Sequence, residues 1–542
     1  MDLLVLFLLV SGVFSQFEKQ PEFTETFEVK RPFQPPAHAI PCTMPMAQVS
    51  IPTGDSRWAA FSYSPTCGTG FDSVYLNLTM VAKGRQYDRL GWITVNGIEI
   101  WRTSTAEPSK TGIYTNFIKD VSYYRELFRS DAAINFTVDN YISSVNPAIL
   151  NFTLTAMFFT SQDVQPAESK PSFVPLFDVF TSNNRSVSVS FPRNLISAEL
   201  SILASGNGDD EFWYTNAPDN YTDTFGTGSL QGGGSLREVR CYIDNKLVGS
   251  YIPDVVIFTG GVNPYMWKPI MGIESSDLYS HRISLDAWIP LLVDSRRHVV
   301  RLEIIALPEI LEDWYNSAHI KLWQSSNPSD ITRGSISTIT NTDLDVKQEV
   351  VLGLKNTSLA VHTSASRMYS ISSTLIIAGN SRQVGYTQTM YYDSKIKWTD
   401  SGLTQSINQE VSSSTVFLNG SSSSTYQPLE IYSAISTSKN GTMRLEFDIN
   451  RSLTFSNPSE YNHQWGSAVS TFSSNGSLIR GSETMNQHLK LDDYDAYFKA
   501  EHGKLVLGKP PDESVAMVDP AQVWASLPRH LPRRLHKHPP IS

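Results

Sequence analysis

Trp92-Ile-Thr-Val95, Asn96-Gly97 and Ile98-Glu-Ile-Trp101 together read as two short strands around a type I′ turn. Asn-Gly between alternating apolar runs is the strongest short-range hairpin signal, because both central residues of that turn need positive φ. Just upstream, Val74-Tyr-Leu-Asn-Leu-Thr-Met-Val-Ala82 alternates strictly and puts Val74, Leu76, Leu78 and Met80 on one face. Ile134–Asp139 and Leu150–Ala156 repeat the pattern. This block, 25–162, reads as a first β-sandwich. Beyond the polar, proline-bounded Pro166–Pro171, further strands over 172–325 predict a second. Residues 335–508 are Ser/Thr-rich and again strand-like. Residues 509–542 have no periodicity and are expected to be a disordered basic tail. The fold class expected is all-β, two jelly-roll-like sandwiches followed by a further β-rich region. The best short helix candidate is Ala306–Ser317.

Composition narrows the function. The 542 residues carry a net charge of −10, and 18% are charged against 11% aromatic. Arg529, Arg533, Arg534 and Lys537 lie near the C-terminus, so without them the rest carries −14. So acidic a body does not track a phosphate backbone, which excludes nucleic acid as a ligand. Leu3–Val10 is an apolar run followed by small residues, and a signal peptide over 1–15 is expected. No later run is long enough to span a bilayer. Ten sequons, at Asn77, Asn135, Asn151, Asn184, Asn220, Asn356, Asn419, Asn440, Asn450 and Asn475, agree with a secretory route and an extracellular or vacuolar destination. Cys42 and Cys67 form the natural pair in an oxidising compartment, a bridge that stabilises by about 3 kcal/mol. Cys241 is left over.

Familiar catalytic motifs are missing: there is no zinc helix, nucleophile elbow or P-loop, and no cofactor or metal is expected. Gly226–Gly234 misses the dinucleotide spacing and reads as a flexible loop. What remains is acidic and aromatic. Asp88-Arg89, entering the hairpin, is either a base held ionised by its neighbour or an Asp-Arg surface pair. Ser205-Gly-Asn207-Gly-Asp209-Asp210-Glu211-Phe-Trp213-Tyr214 sets three carboxylates beside aromatics, as a sugar-binding rim does. Calcium binding or a solvated acidic turn are the other readings. In Arg237–Ile243, Val239, Cys241 and Ile243 share one parity and face the core, so Glu238 and Arg240 face a cleft or plain solvent. That parity buries Cys241 as an inert small hydrophobe. Asp139 stands opposite Phe136 and Val138 in parity, where a lone strand carboxylate is usually solvated.

Gly84–Arg89, Thr105–Pro108, Gly206–Tyr214, Gly234–Val239 and Phe258–Pro264 closely resemble the eukaryotic acidic peptide N-glycanase A family. The likeness runs from about Phe27 to Trp323, continues more weakly to 508, and leaves out the tail. Ser280–Asp286 departs from the family's more acidic strand. The resemblance implies hydrolysis of the amide between N-acetylglucosamine and asparagine in an N-glycopeptide or unfolded N-glycoprotein, leaving aspartate. A more distant likeness, to the secreted bacterial peptide N-glycanase of two jelly rolls, implies the roles. It makes Asp88 the base that orients water, Glu238 the second carboxylate and Asp139 the third. Arg89 would keep Asp88 ionised or neutralise the oxyanion, and Asn207, Asp209, Glu211 and Trp213 would hold the sugar. The rival expectation is a non-catalytic, lectin-like sandwich protein. Oligomeric state is not legible in the sequence.

Overall fold

The computed structural model describes residues 23–51, 58–140, 142–144, 146–161, 170–263, 265–307, 309–474 and 478–510. The expected signal peptide, the sequon at Asn475 and all but the first two residues of the expected tail lie outside them.

The expected hairpin forms. Leu90–Val95 and Ile98–Ser104 pair antiparallel around Asn96 and Gly97, at φ 50° and 78°. With Trp58–Tyr63 and Ala132–Val138 they make a four-stranded sheet. It faces a five-stranded sheet of Thr24–Glu25, Ile113–Asp120, Ser73–Ala82, Leu150–Thr160 and Ile40–Ile51. Val74, Leu76, Leu78, Ile93, Phe136 and Leu154 fill the core between them. Ser73–Ala82 is buried on both faces, not one. The N-terminal segment supplies the extra cover: Phe33 packs on Tyr75 and Phe159 outside the sheet. Cys42 and Cys67 are disulfide-bonded. Asn77 and Asn151 lie on the covered outer face of the five-stranded sheet at 2% exposure each, so a glycan on either has no room in the folded chain. The sequons Asn135, Asn184, Asn220, Asn356, Asn419, Asn440 and Asn450 are exposed.

A second pair of sheets follows. Ser172–Thr181, Tyr315–Gln324, Leu195–Ser205 and His281–Ser284 form one, and Asn184–Ser190, Arg297–Ala306, Arg237–Ile243 and Lys246–Tyr251 the other. Val239, Cys241 and Ile243 enter the core as their parity requires, and burial pushes the Cys241 thiol up to about 12. Ala306–Ser317 forms no helix among its described residues; the chain turns there to bury Trp314, whose indole N–H reaches Asp210, and then enters the strand at Tyr315.

Residues 333–507 make one eleven-stranded antiparallel sheet, with strands as long as Asn380–Thr399. Its residues alternate: Phe447 and Ile449 point inward, Asp448 and Asn450 outward. The inward face shares a continuous core with the second sandwich, where Phe447 lies beside Trp267.

The two sandwiches are locked by buried polar contacts at the hairpin. The Arg102 guanidinium, fully buried, bonds both oxygens of Glu99 at 2.8 and 2.7 Å and crosses to the Tyr315 carbonyl at 2.8 Å. Ser317 donates to the same Glu99 from the second sandwich, and Trp101 Nε1 reaches the Ser276 carbonyl at 2.7 Å. Charges buried this way are stable only when every hydrogen-bonding atom finds a partner, and that requirement fixes the relative placement of the sandwiches.

Candidate active site at the seam of the sandwiches

The cleft lies beside this lock. Leu90–Val95 and Ala132–Val138 are neighbours in register, and Asp139 N–H bonds the Leu90 carbonyl at 2.9 Å. Asp88 and Arg89, just before one strand, therefore emerge beside Asp139, just after the other. In the second sandwich Ser205 pairs with Tyr315, so the Gly206–Phe212 loop and Tyr315 leave their sheet at the same end. These residues, with Tyr87, Leu90, Ser104, Phe258 and Gly260, line a cleft of about 330 Å³. Such a volume suits a small, buried ligand segment.

Three carboxylates meet there: Asp88, Asp139 and Glu211. Asp139 accepts a 2.8 Å hydrogen bond from the Tyr315 hydroxyl, which spans the seam. Burial raises Asp88 above the usual carboxylate range, opposed by the Gly260 N–H and the charges of Arg89 and Lys268. Burial, then the negative charge of Asp88, pushes Glu211 up to about 7. Arg89 bonds Gln86 Oε1 at 2.7 Å, and its own N–H bonds Thr105 Oγ1 at 2.9 Å, which orients it at the cleft wall. Two buried carboxylates facing each other, both raised by burial, with a cation alongside, are the groups that general acid–base chemistry needs.

Two glycines permit this geometry. A Cβ on Gly260 would strike the Asp88 carboxylate, and one on Gly206 would strike the Asp210 carbonyl. Close backbone approach to the Asp88 carboxylate explains the glycine at 260.

Of the residues expected to act, the structure brings Asp88, Arg89, Asp139, Asn207 and Glu211 to one cleft. It does not bring Glu238, Asp209 or Trp213. Glu238 does face away from its own core, but the third sheet covers that face. It is fully buried, 2.8 Å from Arg367 of that sheet and 2.6 Å from Arg240, and meets neither cleft nor solvent. Trp213 is 3% exposed and packs on Trp314, a core side chain and not a sugar platform. Asp209 is exposed outside the cleft, whereas Asp210 is buried against Arg237 at 2.8 Å. The three adjacent acids thus diverge, and among the described residues no group of three acidic, histidine or cysteine side chains is placed to hold a metal. Arg237 also bonds the carbonyls of Gly233 and Gly234 at 3.0 and 2.9 Å. The end of the expected flexible loop is therefore pinned.

Sequence reasoning missed Glu107, Lys268, Gly260 and Tyr315. Glu107 N–H bonds Thr259 Oγ1 at 2.9 Å, next to Gly260. Burial raises Glu107 to about 7, with Lys268 opposing and Asp88 adding to the shift. Glu107 and Gly260 sit inside Thr105–Pro108 and Phe258–Pro264, so the signal was present as motif and lacked only a reason.

The family model described as peptide N-acetyl-beta-D-glucosaminyl asparaginase amidase A matches residues 50–342, which contain every block of the resemblance. A relative from Prunus dulcis, peptide-N4-(N-acetyl-beta-glucosaminyl)asparagine amidase A, is 26% identical over 459 residues, 78% of this chain and 79% of its own length. Among solved structures, a peptide-N(4)-(N-acetyl-beta-D-glucosaminyl) asparagine amidase is 14% identical, with 53% of this chain and 97% of its own covered and a TM-score of 0.36. N-glycanase F, a glycosylasparaginase from Flavobacterium meningosepticum, is 11% identical over 53% of this chain and 97% of its own, with a TM-score of 0.37. The chain belongs to the peptide N-acetyl-beta-D-glucosaminyl asparaginase amidase A family.

Proposed function

We propose that the protein is an amidase of the secretory route that hydrolyses the bond between N-acetylglucosamine and asparagine, releasing the N-glycan and leaving aspartate. The observation that carries the reading is the meeting of Asp88, Asp139 and Glu211, from both sandwiches, on one cleft. Family membership supplies the substrate class.

Amide hydrolysis needs an activated water, a stabilised oxyanion and a protonated leaving nitrogen. Asp88, whose carboxylate form is favoured by the Gly260 N–H, Arg89 and Lys268 against its burial, takes a proton from water as the water oxygen attacks the side-chain carbonyl carbon. Arg89 neutralises the oxyanion that forms. The role expected of Glu238 passes to Glu211, which is protonated up to about pH 7 and gives its proton to the departing glycosylamine nitrogen. Asp139, aligned by Tyr315, and Asn207 accept and donate to sugar hydroxyls. The acid limb of this chemistry suits an acidic compartment, and the disulfide suits an oxidising one.

The test is a denatured N-glycoprotein incubated with the purified chain. Aspartate in place of asparagine at each former glycosylation site is the expected mass signature. One sugar retained on asparagine would mean cleavage between sugars, and an unchanged substrate would mean a lectin. Either result overturns the reading.

A further inference from the structure

A glycosylated asparagine has two arms, and the cleft described above serves the sugar. A second cavity, of about 400 Å³, has Glu107 and Lys268 in its lining, and both interact electrostatically with Asp88. The two are joined by short steps. Glu107 lines the second cavity and bonds Thr259, and Thr259 precedes Gly260, which lines the first cleft and touches Asp88.

The chemistry of the two differs. The first is walled by carboxylates, an amide and a phenol, groups that pair with hydroxyls. The second is walled mainly by Pro108, Ile113, Tyr265 and Leu478, with small hydroxyl side chains between them and the opposite charges of Glu107 and Lys268 in the same lining. Mainly apolar walls with a few hydroxyls and one opposite-charge pair suit a polypeptide, whose side chains need burial and whose amides need single partners. Leu478 belongs to the third sheet and is 48% exposed, an apolar side chain without full cover. The same sheet fixes the opposite wall. The Tyr265 ring rests on Gly481, where a Cβ would come within 2.6 Å. Asn263 Oδ1 accepts both the Tyr265 N–H at 3.2 Å and the Ser470 hydroxyl at 2.8 Å.

We propose that this second cavity is the subsite for the polypeptide arm of the substrate, that it takes an apolar residue next to the glycosylated asparagine, and that Leu478 of the third sheet forms part of its wall. The inference rests on the amidase reading and adds to it a peptide preference and a task for the third sheet.

Two sets of glycopeptides test it, identical in sugar, with glycine or leucine on either side of the glycosylated asparagine. The intact chain should cleave the best leucine peptide about tenfold better in kcat/KM than its glycine counterpart, the discrimination an apolar pocket delivers. Leu478→Asp should abolish that ratio through KM, with kcat on the leucine peptide little changed, and Leu478→Met should restore it. Thr111→Arg, on the opposite exposed rim, should also abolish it. No preference in the unaltered chain, or a tenfold preference surviving both disruptive variants, overturns the subsite while leaving the amidase reading intact. No cleavage of any peptide overturns both.

Discussion

The second sandwich meets a neighbour along two seams, and each buries a carboxylate that the sequence marked as interesting. At the seam with the third sheet, Glu238 is held between Arg367 and Arg240, with opposite charge on both sides. At the seam with the first sandwich, Glu211 faces Asp88, a like charge, in a cleft open to a ligand. Buried acids matched by cations are part of the scaffold; buried acids set against each other have a proton to move. The distinction lies in the partners, and strand parity does not disclose them.

Four measurements put that contrast at risk. Asp88→Asn should reduce glycan release by at least about a hundredfold, the low end for a catalytic base, with the melting temperature held. Activity near the unaltered value would remove Asp88 from the mechanism. Glu211→Gln should cost about a hundredfold in kcat and flatten the fall in rate near pH 7, because the group that loses its proton there is gone. A profile with its alkaline limb intact would assign the proton elsewhere. Glu238→Gln should behave oppositely: it leaves Arg367 buried without its counter-charge and should cost about 3 kcal/mol of stability, read by denaturant unfolding, while the folded fraction keeps its kcat.

The smallest effect concerns Glu28. Its carboxylate accepts the N–H groups of Glu274 and Ser276 at 2.8 and 2.6 Å, yet burial outweighs them and raises it from 4.5 to about 8. The folded chain therefore holds a proton that the unfolded chain releases above about pH 4.5. Stability is full below that pH and declines as pH rises toward 8. The melting temperature should fall by about 3–5 °C between pH 5 and pH 8, and Glu28→Gln should flatten the slope.

Local pattern carried much of this. Asn96-Gly97 specified its hairpin because only a turn with two positive φ values fits there. Asp88, Arg89, Asp139, Asn207 and Glu211 are legible chiefly through the family resemblance, since on pattern alone Asp88-Arg89 reads equally as a surface pair, Asp139 as a solvated strand carboxylate and the acidic loop as a solvated turn. What failed did so for one reason. Parity says which way Glu238 turns and not what lies there; the covering residue, Arg367, is 129 positions away. Trp213 beside acids looks like a sugar platform, and burial by Trp314 makes it a core residue instead. Asn77 satisfies a sequon yet is buried on the covered outer face of its sheet. Each depends on contacts distant in sequence, to which a window of ten residues is blind.

The absent side chain at 260 has a practical corollary. Since a methyl group there would meet the Asp88 carboxylate, Gly260→Ala should move that side chain without altering any titratable group, and a glycopeptide still bound but released uncut by that variant would separate recognition from cleavage.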